Sequence, residues 1–137
     1  MTAPVARRSD GIGHTVAPVL EMLRGGRLEE AEAACRALVQ AHPRDARAHA
    51  LLARTLALRG NLDAACAAAE SALALAPDFV PALLERAQLA HRADDPERAA
   101  ILLERLCALQ PDNARLCYDL GDTLLRLGRH GPAQHAL

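Results

Sequence analysis

The segment Leu62–Pro77, LDAACAAAESALALAP, decides how the chain folds. It is rich in alanine and leucine, which favour helix, and it ends in a proline, before which a helix stops. Pro43, Pro77 and Pro111 recur every 34 residues. Alanine follows the same period, at Ala31, Ala65, Ala99 and Ala133. A fixed period of this length predicts stacked hairpins, each made of two antiparallel helices joined by a turn.

Turn residues share this period. Gly26, Gly60 and Gly128 lie in one phase, and Asp94 stands where the fourth glycine is missing. Asp95 is then expected to cap the following helix, with Pro96 at its first position.

The start of the chain is less regular. Residues 1–13 contain one proline, two glycines and several charges and predict a mobile tail. We expect the first helix to begin at Thr15, whose hydroxyl can cap it, with Pro18 in the first turn.

Composition excludes several classes of function. The net charge is −1 and all basic residues are arginines, so no overall field attracts nucleic acid or a membrane. Charges interrupt every apolar stretch, which predicts neither a signal peptide nor a membrane span. The absence of lysine is typical of base-composition bias in bacterial-like coding DNA.

Four cysteines lie at spacings that match no metal or redox motif: Cys35, Cys66, Cys107 and Cys117. They predict reduced, apolar core residues and a reducing, cytoplasmic compartment. The six histidines are dispersed, and His91 beside Arg92 has no nucleophile to activate. We therefore expect no metal, no cofactor, no catalytic residue and no enzymatic activity.

The repeat pattern resembles the tetratricopeptide repeat family. If repeats begin at Ile12, Ala46, Val80 and Ala114, position 20 is always alanine and position 32 is proline in all three repeats that reach it. The family's aromatic positions hold Leu, Cys or Ala here, and Arg86 takes an expected apolar place. The resemblance implies an all-α, right-handed superhelical array of antiparallel helical hairpins over residues 14–137. Its repeats would span residues 12–45, 46–79, 80–113 and, truncated, 114–137.

In this family the first helix of each hairpin lines a concave groove that holds a peptide or helix of a partner. Carried over position by position, the resemblance assigns to that groove Arg47, Arg54, Leu84, Gln88, His91, Arg92, Arg115, Tyr118, Asp122 and Arg126. With Arg24, the groove would hold six arginines against one acid. Such a surface suits an acidic protein or peptide partner. The alternative is that these arginines are solvated or paired with carboxylates on adjacent turns.

The final residues of the sequence favour two further hypotheses. The last helix ends at the apolar Leu137, without the polar capping helix that closes a stable array. The chain is then the N-terminal targeting or dimerisation region of a longer enzyme, such as a transferase or hydroxylase, or it pairs with a second copy into a homodimer through this end.

Overall fold

The computed structural model describes residues 13–128, which form seven helices. They are α1 (Gly13–Arg24), α2 (Leu28–Ala41), α3 (Ala46–Leu58), α4 (Leu62–Leu75), α5 (Val80–Arg92), α6 (Pro96–Leu109) and α7 (Ala114–Arg126). Consecutive helices pack against each other from α1 to α4 and from α5 to α7. The prediction of an all-α array of helical hairpins is confirmed.

The turn inside each hairpin repeats the same backbone conformation. Gly26, Gly60 and Gly128 have φ values of 76°, 86° and 75°, and Asp94, in the same phase, has a φ of 56°. This left-handed conformation ends a helix, and aspartate is among the few residues that tolerate it without glycine's freedom.

The residue that follows Gly26, Gly60 or Asp94 makes the same backbone hydrogen bond in each turn. Arg27, Asn61 and Asp95 each donate the backbone N–H to a carbonyl five residues back, over 2.8, 2.9 and 2.8 Å. These bonds satisfy carbonyls that the helix end would leave unpaired. Asp95 also accepts from the backbone N–H of Arg98 at 3.2 Å, so its predicted capping role is confirmed.

The recurring alanines lie in the packed interior. Ala31, Ala65 and Ala99 are fully buried, while Ala133 lies outside the described residues. A small side chain at this position lets neighbouring helices approach closely, because any larger group would overlap the packed interior. The 34-residue recurrence of alanine therefore reflects the packing of the helices.

The chain divides into two compact units, Met1–Pro77 and Asp78–Leu137. In the first, α1 to α4 enclose a core that includes Val19 and Leu56, and the Cys35 Sγ lies 3.5 Å from the Thr55 hydroxyl oxygen. In the second, α5 to α7 bury a leucine core: Leu83, Leu89, Leu103, Leu106, Leu116, Leu120 and Leu124. The repeat boundaries predicted from the sequence stay a prediction.

Two expectations for the first helix are wrong. Helix α1 begins at Gly13, so Thr15 lies inside it and cannot be its N-cap. Pro18 consequently falls beyond the first turn, where its missing N–H leaves one carbonyl of the preceding turn without its helical partner. The predicted mobile tail lies outside the described residues except for Gly13, and the truncated last helix lies wholly outside them.

Candidate functional site

The first-unit part of the predicted groove is a narrow strip on α3. Arg47, Arg54 and Leu58 are exposed, while most other residues of this helix are buried. Spacings of seven and four residues bring these three side chains to one line along the helix. Ala50 and Ala57, which flank the line, are nearly inaccessible.

Arg47 is held by the residue that caps α3. Its Nε lies 3.2 Å from the Asp45 Oδ1 and its Nη2 lies 3.0 Å from the Oδ2, a two-point pair. The Asp45 carboxylate also accepts the Arg47 backbone N–H at 3.0 Å. Burial alone would raise the pKa of Asp45, but these hydrogen bonds and the arginine charge outweigh it and lower the pKa.

Arg54 differs from Arg47. In the described part of the chain its side chain has neither a hydrogen bond nor an ion pair. All the N–H donors of such an unpaired guanidinium remain available to a carboxylate of another molecule.

In the second unit, α5 carries four of the predicted residues. Gln88, His91 and Arg92 are exposed, whereas Leu84 is half-buried. Ala87 and Leu89 between them are buried, so this helix also shows only one side to solvent.

The exposed and the buried residues of α7 lie on opposite sides of the helix. Arg115, Tyr118, Asp122, Leu125 and Arg126 fall within about a third of the helix circumference, by the 3.6-residue period. Tyr118 is 66% exposed and Leu125 42% exposed. The opposite side of α7 is buried. An exposed aromatic beside an exposed leucine is a feature of interaction surfaces, because both remain in contact with water in the free protein.

The charged side chains of α7 differ in whether they form an ion pair. The Arg126 Nη2 lies 3.2 Å from the Asp122 Oδ2, one turn away. Arg115 has no side-chain hydrogen bond or ion pair to any residue between 13 and 128. The capping residue of α7 is Asn113, which accepts the Leu116 backbone N–H at 3.4 Å and carries no charge.

For three of these arginines the structure shows the pairing that the alternative interpretation describes. Arg24 pairs with Glu21 at 3.0 Å, Arg47 with Asp45, and Arg126 with Asp122. Sequence reasoning missed the role of Asp45. Its position two residues before Arg47, at a helix start after a proline, was the available signal.

Two depressions lie in the first unit. One, of about 610 Å³, lies between the start of α2 and the end of α3, and Leu58 and Arg59 line it. An apolar one of about 390 Å³ lies between α1 and α2. Leu58 of the α3 strip therefore borders the first depression, while Arg47 and Arg54 line neither. No helix in residues 13–128 combines the length and apolar character needed to cross a membrane.

Comparison with known proteins gives a family match. A family model described as tetratricopeptide repeat matches residues 20–78, 59–114 and 84–137. The matched segments overlap and together cover most of the chain. Among curated protein sequences, none matches the chain.

Solved structures share the fold. The crystal structure of MamA is 22% identical, with a TM-score of 0.75 over 85% of this chain and 68% of its own. PilF of Pseudomonas aeruginosa is 22% identical, with a TM-score of 0.81 over 94% of this chain and 59% of its own. A thermophilic tetratricopeptide protein of Thermus thermophilus is 22% identical, with a TM-score of 0.69 over 86% of this chain and 66% of its own.

Proposed function

Because the chain belongs to the tetratricopeptide repeat family and is a protein–protein interaction scaffold, we propose that it binds an acidic segment of a partner protein on the exposed face of α7, the first helix of a hairpin. The observation that carries the proposal is the outer face of α7, where the exposed Tyr118 lies on the same side as Arg115.

Tyr118 and Arg115 offer complementary contacts. A tyrosine contributes a large apolar area and a hydroxyl at a low cost in side-chain entropy. The Arg115 guanidinium, with no carboxylate partner in residues 13–128, can take a carboxylate of the ligand in a two-point hydrogen-bonded pair. Leu125 extends the apolar part of this face. A segment that alternates acidic and apolar side chains, extended or helical, fits such a surface.

Helix α3 offers the same chemistry in the first unit. Arg54 supplies an available guanidinium, and the 53% exposed Leu58 lies one turn further on. Arg47 contributes less, because Asp45 already satisfies much of its hydrogen-bonding capacity. The remaining residues assigned to the groove, on α5, would add the polar contacts of Gln88, His91 and Arg92.

The test is selection of peptides from a displayed library on the full chain, followed by fluorescence anisotropy with a selected peptide. We expect the selected peptides to be enriched in Asp and Glu. Arg115→Glu should weaken binding about tenfold or more, because it replaces an attraction by a repulsion.

Matched controls come from α6. Ile101 is 65% exposed, nearly the same as Tyr118, so Ile101→Ala measures the effect of removing an exposed apolar side chain elsewhere. Arg98→Glu is the charge control, since Arg98 is exposed and lies on the same helix. Peptides without acidic enrichment would overturn the acidic part of the proposal. Equal losses of peptide affinity in the α6 and α7 variants would overturn the assignment of the binding surface to α7.

Three further proposals come from the sequence alone. Homodimerisation through the C-terminal end concerns residues outside the described part, and light scattering coupled to size exclusion tests it directly. The alternative of a non-catalytic region in a longer enzyme is tested by the length of the natural gene product. The cysteine content motivates the proposal of a cytoplasmic location.

A further inference from the structure

The first hairpin, made of α1 and α2, leaves accessible two positions that are buried in other hairpins. Pro18 on α1 is exposed and Met22, one turn later, is half-buried. The residues at the same place of the 34-residue repeat in α3 and α7 are buried leucines: Leu52, Leu56, Leu120 and Leu124. Helix α3 packs against both α2 and α4, which cover it from two sides of the chain. The two positions in α1 therefore lack a cover that the repeat supplies elsewhere.

Pro18 and Met22 border the apolar depression of about 390 Å³ between α1 and α2. On the α2 side, Ala37 and Ala41 line it and are exposed. Removing such apolar surface from water is favourable and is the main driving force of most protein association. The depression is thus suited to a partner that presents protruding apolar side chains.

Helix α7 presents side chains of this kind. Tyr118 is 66% exposed and Leu125 is 42% exposed. Their counterparts in α3, Ala50 and Ala57, are only 5% and 6% exposed. Helix α7 therefore exposes large apolar groups at two positions that α3 buries, just as α1 exposes two positions that α3 buries.

The depression and the α7 side chains match in length. Tyr118 and Leu125 are seven residues apart, which is about 10.5 Å along a helix. Ala34 and Ala41, which line the depression, are also seven residues apart on α2. When α7 lies along α2 of another molecule, both of its apolar side chains can enter the depression.

The charges beside these two surfaces are opposite in sign. Arg115 lies one turn before Tyr118 and has no side-chain partner in residues 13–128. Glu30 lies one turn before Ala34, and its Oε2 is 3.8 Å from the Arg27 Nη1, too far for a hydrogen bond. When the two helices run in the same direction, Arg115 faces Glu30 as Tyr118 enters the depression near Ala34. Charge and apolar contacts therefore favour the same alignment.

We propose that the partner of the α7 face, formed by Arg115, Tyr118 and Leu125, is a second copy of this chain, which receives that face in the depression between its α1 and α2. The contact between copies rests on the proposed function, because it uses the same α7 face and takes the start of α2, with Glu30, as the acidic segment. The two surfaces differ, so the contact is heterologous. A pair then keeps one free surface of each kind, and further copies can add to it.

Sedimentation velocity of the full chain over a wide range of concentrations tests the contact. We expect the average mass to rise above that of one chain as the concentration increases. Ala37→Arg places a long charged side chain in the depression, and Arg115→Glu puts a carboxylate opposite Glu30. Each should weaken self-association about tenfold or more. A natural chain that stays monomeric at every concentration would overturn the proposal.

Ser71→Arg is the matched control for the depression. Ser71 is the counterpart of Ala37 on α4 and is also exposed, so the variant adds the same charge at the same repeat position. It should assemble as the natural chain does, and an equal loss in Ser71→Arg and Ala37→Arg would overturn the proposal. Circular dichroism checks the folding of each variant. If Ala37→Arg does not fold, Glu30→Arg replaces it, since Glu30 is exposed.

A mixture of the two disrupted variants tests whether unlike surfaces meet. Ala37→Arg keeps its α7 face, and Arg115→Glu keeps its depression. The mixture should therefore form pairs with twice the mass of one chain and nothing larger, although each variant alone stays monomeric. A mixture that remains monomeric would overturn the heterologous contact, as would Ala37→Arg assembling like the natural chain.

The same variants separate this contact from the binding of acidic peptides. Ala37 lies outside the α7 face, so Ala37→Arg should lose self-association and still bind a selected acidic peptide with the affinity of the natural chain. A natural chain that binds the peptide but never self-associates would overturn the contact between copies alone. A chain that assembles through these surfaces but selects no acidic peptides would overturn the peptide proposal and leave the contact between copies in place.

Other occupants give different results. Assembly that appears only after residues 1–12 are removed would assign the depression to the N-terminal residues of the same chain. Assembly that is lost when residues 129–137 are removed but persists in Arg115→Glu would assign the contact to the C-terminal end. Either result would overturn the proposal.

Discussion

Helices α3 and α7 occupy the same place in two hairpins, 68 residues apart, and differ at the residue that caps them. Asp45 caps α3 and holds Arg47 by two hydrogen bonds to its guanidinium. Asn113 caps α7, and Arg115, at the position of Arg47, has no side-chain partner in the described chain. The arginine two residues after the cap is therefore paired where the cap is Asp and lacks a side-chain partner in the described chain where the cap is Asn.

The two helices share part of their buried sides. Leu56 and Leu124 correspond and are 2% and 3% exposed. Thr55 and Thr123 also correspond, and each hydroxyl donates to the carbonyl four residues back, at 2.9 and 2.8 Å. The helices differ at Tyr118 of α7, which is 66% exposed, whereas the corresponding Ala50 of α3 is buried at 5% exposure. The repeat thus keeps the leucine and threonine positions of the core, while the position of Tyr118 is exposed only in α7.

The largest expected effect concerns the buried leucine that the two helices have in common. Leu56→Ala and Leu124→Ala should each lower the free energy of unfolding by about 2–4 kcal/mol, because each leaves a cavity among packed side chains. Urea denaturation followed by circular dichroism measures the loss. The exposed Leu58→Ala and Leu125→Ala are the controls and should stay within about 0.5 kcal/mol of the natural chain. A large loss in only one of the two helices would show that their cores are not equivalent.

The second effect tests the aromatic difference between the helices. Tyr118→Ala should weaken binding of a selected acidic peptide about tenfold to thirtyfold, roughly 1.5–2 kcal/mol, since a central aromatic contributes much of the energy of such an interface. Anisotropy titration gives the dissociation constant, with Ile101→Ala as the matched variant. An unchanged constant for Tyr118→Ala would remove α7 as the main contact.

The sequence was sufficient for the features that depend on local chemistry. The 34-residue period specified the hairpins, and Asp94 in the phase of the turn glycines does adopt their left-handed backbone. Asp95 caps α6 as its position indicated. The left-handed turn and the cap each follow from residues within one turn of the feature, and the hairpins follow from the recurrence of one pattern along the chain, which is why pattern alone could identify them.

Features that depend on side-chain contacts were not predictable in the same way. The pairing of Arg47 depends on the rotamers of two side chains, and charge counting treated Arg47 and Arg115 as equal. Helix α1 began earlier than Thr15 indicated, since a possible cap on its own does not fix a helix end.

The third prediction concerns a variant that gives α3 the same capping residue type as α7. Asp45→Asn should keep the cap but lose the charged pair, lowering the free energy of unfolding by about 0.5–1 kcal/mol at neutral pH. It should also release Arg47 for acidic peptides. A natural chain and variant of equal stability would show that the pair contributes nothing measurable.

The same variant has a pH signature with a definite sign. The pKa of Asp45 in the folded chain lies below its ordinary value of 3.8, so the folded state favours the carboxylate. Its stabilising contribution is complete above that value and is lost as the pH falls through it towards the lower folded pKa. Melting temperatures of the natural chain and Asp45→Asn should therefore differ at neutral pH and converge in acid. A difference that persists at low pH would contradict this assignment.

The smallest effect is the reciprocal change, Asn113→Asp, which makes α7 resemble α3. The new carboxylate should pair with Arg115 as Asp45 pairs with Arg47, and it should weaken acidic-peptide binding about threefold, roughly 0.7 kcal/mol, with little change in stability. Gln110→Glu adds the same charge at the same turn, at the end of α6, and separates pairing from general repulsion. If both variants weaken binding equally, the charge of the turn matters and the cap does not. If only Asn113→Asp does so, the capping residue sets the availability of the arginine, and the comparison of α3 with α7 extends from structure to binding.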